Sequence, residues 1–269
     1  MKRPGFALSF TIAAALLGTG LLAQDAPAGA DAAPKPAREL FTTSAGVNDS
    51  GVATLNAGFQ ESCGRDGSEA RRFPAQLALG VCQWIDLRLA WSGPTMLKDA
   101  EGSRSGGGDP LFGGQAQFLR QEAAGLDLGL AYWHKLPRAS VEKGIGTGKA
   151  DDTLLLTASR TLGSWEFDLN AGANWLGRQE APGAVRQGVV SLAATRAIAP
   201  GWNLSLDTFA LAATELGPRS VTSIMAVSRD LTPHLTVDLG LEAGLTRSAE
   251  RMAIDAGLVW RMGRLWGKD

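Results

Sequence analysis

The segment SWEFDLNAGANW, Ser164–Trp175, alternates without a break. Trp165, Phe167, Leu169, Ala171, Ala173 and Trp175 share one face, while Glu166, Asp168, Asn170, Gly172 and Asn174 share the other. Side chains along a strand point to opposite sides in turn, so this segment reads as a strand with one apolar and one polar face. On a helix the same residues would put Glu166 and Asp168 among the tryptophans. The period recurs in HLTVDLGLEAGL, WNLSLD, IDLRLAW, GLDLGLAY and MAIDAGLVW. Twelve strands are expected, over about 52–60, 72–81, 84–92, 109–119, 125–136, 151–161, 164–176, 185–196, 201–212, 219–229, 234–245 and 251–261, with the weakest alternation in 185–196. The 34 glycines and scattered prolines disfavour long helices.

A β-sandwich or a dry-cored soluble barrel would also alternate. Connection lengths separate these folds from a membrane barrel. Short turns (CQW, LGS, IAPG, LTPH) take turns with longer polar loops at 61–71, 93–108, 137–150 and 177–184. Short periplasmic turns and longer outer loops are expected of an outer-membrane barrel. Aromatic placement gives an independent test. Trp84, Phe118, Trp165, Trp202 and Trp260 fall near the inner rim, and Phe59, Phe73, Trp91, Tyr132 and Trp175 near the outer one, as two girdles. Trp165 and Trp175 are ten residues apart, roughly 33 Å of strand, which a ~40° tilt projects to the ~25 Å height of an apolar band. The fold class expected is all-β: a twelve-stranded antiparallel transmembrane β-barrel of the bacterial outer membrane.

The barrel is expected over 51–262. Ahead of it stand a signal peptide, 1–23, and a polar Ala/Pro-rich segment, 24–50; a tail, 263–269, follows. The leader has Lys2 and Arg3, an apolar run from about Phe6 to Ala23 and small residues near the cut. Removing Lys2 and Arg3 from 26 basic residues leaves 24 against 27 acidic ones, a balance that gives no reason to expect nucleic acid. Two cysteines make no disulfide framework. Cys63 falls in the first outer loop and Cys82 in a short turn, ~23 Å apart in depth, whereas a disulfide needs Cα atoms within about 7 Å.

Several stretches together resemble the outer-membrane channel family named for the MetA pathway of phenol degradation. They are GDPLFGGQAQFL (Gly108–Leu119), LDLGLAYWHKLPRAS leading into GTGKADDTLLLTASRTLG, the turn IAPGWNLSLD, and LTPHLTVDLGLEAGLT. The resemblance covers nearly all of the chain after the leader. It implies a twelve-stranded barrel that passes small hydrophobic or aromatic compounds, and it supplies no set of binding residues. DAGLVWRM (Asp255–Met262) resembles the signal read by the barrel-assembly machinery, although GRLWGKD follows it where such barrels commonly end on an aromatic residue.

The inward parity places Asp86, Arg88, Asp109, Asp127, Lys135, Glu166, Asp168, Asp207, Asp238, Glu242, Arg251, Asp255 and Arg261 as pore-lining candidates. This acidic set either neutralises itself in carboxylate–Arg pairs or favours cations and neutral solutes over anions. VEKGIGTGKADD, Val141–Asp152, has the look of a phosphate loop, but position 143 is Lys, position 150 is Ala and a strand follows, so it reads as an outer loop. A lipid-modifying barrel enzyme would need a Ser–His pair oriented by a third group. His134 has no outward serine in a recognisable motif, and His234 opens a strand at the other rim. No His-x-Glu or Cys-x-x-Cys pair offers a metal site, and no cofactor is expected. The expected function is passive movement of small solutes. The expected partners are outer-membrane lipid, the assembly machinery and a small-molecule solute. A lipid-modifying enzyme and a non-conducting structural barrel are the alternatives.

Overall fold

The computed structural model describes residues 41–179 and 181–267. The expected signal peptide, the first part of the N-terminal segment and the last two residues of the tail lie outside the described residues.

The strands are β1 (Val52–Cys63), β2 (Glu69–Arg72), β3 (Ala75–Cys82), β4 (Ile85–Trp91), β5 (Pro94–Asp99), β6 (Gly102–Gly107), β7 (Pro110–Leu119), β8 (Asp127–Lys135), β9 (Asp151–Leu162), β10 (Trp165–Gly177), β11 (Ala184–Ala199), β12 (Trp202–Leu211), β13 (Ser220–Thr232), β14 (Leu235–Gly244) and β15 (Met252–Arg264). One short helix, α1 (Gln121–Ala124), sits in the turn before β8. Twelve of the strands, in the order β1, β3, β4 and β7 to β15, pair antiparallel with their neighbours, and β15 closes on β1 along its whole length. Closure leaves the barrel wall without an open edge, the condition for a sheet to cross lipid.

Burial follows the period of two. In β10 the exposed Trp165, Phe167 and Leu169 alternate with the buried Glu166, Asp168 and Asn170. Leu89 is 60% exposed, Leu206 56% and Leu192 54%. Large apolar side chains exposed on eleven of the twelve wall strands, all but β1, describe a surface whose solvent is hydrocarbon, not water.

Three strands depart from expectation. The segments 61–71 and 93–108 were expected as loops, yet they hold β2 and the hairpin β5–β6. β2 pairs with the upper end of β1 and with β5, extending the sheet beyond the rim. The strand expected from residue 72 is therefore broken: Pro74, which has no N–H to donate, separates β2 from β3. The hairpin SRSGG arm carries no large apolar residue, so it has no alternation to read.

Among the described residues no helix is long and apolar enough to cross a membrane.

Candidate channel lumen

Inward positions of the twelve strands line one interior, and residues 41–48 lie inside it. Their polar groups are met rung by rung. Asn48 donates its backbone N–H to Asp86 on β4 (2.9 Å). Gln115 on β7 donates to the carbonyls of Ser44 and Gly46 (2.7 Å each). Ala45 N–H meets the Ser159 hydroxyl on β9 (2.8 Å). Asn170 on β10 accepts from Thr43 N–H (2.8 Å) and donates to its carbonyl (2.6 Å). Thr42 donates twice to Asp207 on β12. Phe41 then stacks on Phe209, ring centres 4.0 Å apart and 13° from parallel. An extended segment with no sheet partner needs its backbone groups satisfied by side chains, and the inward Asn, Gln, Ser and Asp residues do this.

The interior has two characters. Leu111, Trp133, Leu155, Val189, Phe209, Leu211 and Ile224 form one buried apolar cluster with Phe41. They sit on β7 to β13, with β10 contributing Gly172 between Leu155 and Val189. Across from them, β14 and β15 present Asp238, Glu242 and Asp255, and β1, β3 and β2 present Asn56, Gln76 and Arg72.

The charged candidates are distributed as follows. Asp86 and Arg88 form a fully buried ion pair at 3.3 Å. Lys135 pairs with Asp151 at the loop rim and stands 3.9 Å from Asp109. Asp109 also accepts from the N–H groups of Arg138 and Ala139 (2.7 Å each). Asp127 lies near the short-turn rim, accepting from Gln117 (2.9 Å) and Gln121 N–H (2.8 Å). Glu166 is buried, and Asp168, also buried, accepts from Ser159 (2.5 Å). Arg261 reaches Asp49 at 3.1 Å. Asp238 and Asp255 are buried and Glu242 half-buried. Arg251 is not a lining residue: it is exposed in the loop before β15, where its N–H meets the Cys63 carbonyl (2.9 Å). Inward parity was extended one residue beyond a strand that begins at Met252.

Of the girdle residues, Trp84, Phe118, Trp165, Trp202 and Trp260 are exposed at the turn rim. Trp91 and Tyr132 are exposed toward the loop rim, and Trp175 is half-buried there. Tyr132 and His134 share one Asp152 oxygen, at 2.6 and 2.8 Å.

Sequence reasoning omitted the inward apolar wall. The signal was present in AYWHK, where Trp133 has inward parity between outward Tyr132 and His134.

A closed twelve-stranded antiparallel barrel with an apolar outside, two aromatic rims and a lumen lined largely by polar side chains defines an outer-membrane channel of the porin type. The family model for the MetA-pathway of phenol degradation matches residues 67–262, and the chain belongs to that family. The COG4313 outer membrane channel from Pseudomonas putida F1 is similar in fold, with a TM-score of 0.64 and 14% identity over 81% of this chain and 98% of that one. The NanC porin is similar with a TM-score of 0.57 and 7% identity over 78% of this chain and all of that one, 100%. No curated protein matches the sequence.

Proposed function

We propose that the protein is a passive outer-membrane channel for small neutral or hydrophobic solutes, aromatic ones included, and that it is not an enzyme. The observation that carries this is the stack of Phe41 on Phe209 within the apolar wall. An aromatic ring already occupies an apolar surface inside a closed barrel. A small aromatic solute has the shape and polarity to take its place when residues 41–48 shift. The acids of the opposite wall add a weak preference for cations over anions. In this reading residues 1–23 direct export and are removed, and the assembly machinery inserts the barrel into outer-membrane lipid.

The experiment is release from liposomes. Vesicles holding the full mature chain should release a small phenol-sized solute faster than protein-free vesicles, after correction for leakage through the lipid, and should carry a small ionic current with a weakly cationic reversal potential. Protein that neither conducts nor accelerates release is a structural barrel. Lipid turnover by the purified protein would instead favour the enzyme.

A further inference from the structure

At the short-turn rim, five adjacent strands alternate cation and ring on the outer face. Arg229 stands on β13, Trp202 on β12, Arg196 on β11, Trp165 on β10 and Arg160 on β9. Trp202 is directly opposite Arg229 and Trp165 directly opposite Arg196. The guanidinium of Arg229 lies 5.1 Å from the Trp202 ring centre, and that of Arg196 5.2 Å from Trp165. Further round the wall Arg120 lies 4.5 Å over Trp84, but it donates to the Gln83 carbonyl and stands outside this row. None of these four arginines takes part in an ion pair among the described residues. The outward neighbours on the same strand ends are Leu162, Phe167, Ile198, Leu204 and Leu231, with no acid among them. At the opposite rim several outward charges are matched, Glu61 holding Arg71 at 2.7 Å and Asp152 accepting from Tyr132 and His134, while Arg186 opposite Trp175 is a single cation there rather than one of a row.

An unmatched guanidinium beside a hydrocarbon surface is costly unless its head reaches an anion. The flanking tryptophan fixes it. The ring lies at the boundary of the acyl region, and the stacked guanidinium keeps its donors turned outward in a planar fork that suits a phosphate. Repeated on neighbouring strands without acids, the pairs make a positive band at headgroup depth.

We infer that this Arg–Trp band is a docking surface for the headgroups of anionic glycerophospholipids in the leaflet that meets the short turns. The inference rests on the reading of the barrel as membrane-embedded with its short turns periplasmic. It selects a net-anionic headgroup because a zwitterionic one brings an ammonium into the same positive field.

Tryptophan quenching tests it. The full mature chain is refolded into phosphatidylcholine bilayers containing brominated phosphatidylcholine or brominated phosphatidylglycerol. The wild type should favour the anionic lipid by at least about threefold at low ionic strength. High salt should shrink that preference, and R160Q/R196Q/R229Q should abolish it. Equal quenching by both lipids in the wild type overturns the proposal, as does a triple variant that keeps the preference. If the triple variant does not fold, R196Q and R229Q singly, with the wild-type salt series, decide it, and an unmoved preference in all of these overturns it. Heat-dependent gel mobility and bilayer conductance on the same samples report the barrel and the channel separately. Lost conductance with retained lipid preference would count against the channel function alone.

Discussion

Thr42 gives Asp207 both of its donors: its backbone N–H lies 2.7 Å from one carboxylate oxygen and its hydroxyl 2.6 Å from the other. This two-point contact holds the far end of the lumen segment just beneath the Phe41–Phe209 stack. Hydrogen bonds to a charged acceptor contribute roughly 1.5–3 kcal/mol. Asp207→Ala should therefore raise the open fraction of the channel about tenfold in single-channel recordings. Thr42→Val, which keeps the N–H contact, should have a smaller effect in the same direction. Identical gating in wild type and Asp207→Ala would mean that this contact does not hold the segment in place.

The buried Asp86–Arg88 pair anchors the other end of the segment, because Asp86 also accepts from Asn48. Breaking a buried pair from one side costs about 3–5 kcal/mol, whereas replacing both partners is often neutral. Arg88→Met should lower the urea midpoint of the refolded barrel. The double change Asp86→Asn with Arg88→Met should recover much of the loss. Equal midpoints for the single variant and the wild type would place the pair outside the stability of the barrel wall.

The barrel was legible because the wall strands share one rule, apolar to lipid and mostly polar or small to lumen, and a period of two survives departures such as the inward Trp133 and Leu155. Trp165 and Glu166 alone orient β10. The β5–β6 hairpin was illegible because it stands clear of the band, where no lipid face imposes a pattern. The lumen segment was illegible for another reason. FTTSAGVNDS looks like polar coil, and its place inside is written in its partners Gln115, Ser159, Asn170 and Asp207, which lie 69 to 165 residues away in sequence. Inward charges could be assigned by parity, but which of them pair depends on depth. That is why Lys135 with Asp151, adjacent across β8 and β9, was not foreseen.

Cys63 ends β1 at the loop rim, where it faces Glu69 and Met252, and Cys82 ends β3 at the short-turn rim, where it faces Ile85. Both are free. Because the whole height of the wall separates them, no bond can join them without unpairing the first hairpin. Alkylation of the unfolded, unreduced protein should label both thiols, and non-reducing mass spectrometry should find no peptide linking them. A linked pair within one chain would overturn the register of β1 against β3.

Asp109 holds the outer loop between β8 and β9. One of its oxygens accepts from both Arg138 and Ala139 N–H at the point where β8 has ended. Beyond that point Ala139 and Ile145 are buried against Ala70 and Leu97 of the β2–β5 sheet, and Lys143 donates to the Ser105 carbonyl on β6 (2.8 Å). The loop is thus fixed at its root by a carboxylate and along its length by a small apolar cluster. Asp109→Ala removes the acceptor for two backbone N–H groups and leaves Lys135 with Asp151 and the Thr147 hydroxyl. Two such losses, at about 1–3 kcal/mol each, should open the loop locally while the paired strands stay intact. Trypsin should then cut after Lys143 or Lys149 at least about tenfold faster than in the wild type, with the heat-dependent gel mobility of the barrel unchanged. Ile145→Ser should accelerate the same cleavage through the apolar cluster instead. If Asp109→Ala leaves the cleavage rate where it was and Ile145→Ser raises it, the cluster alone holds the loop and the carboxylate serves only to balance Lys135.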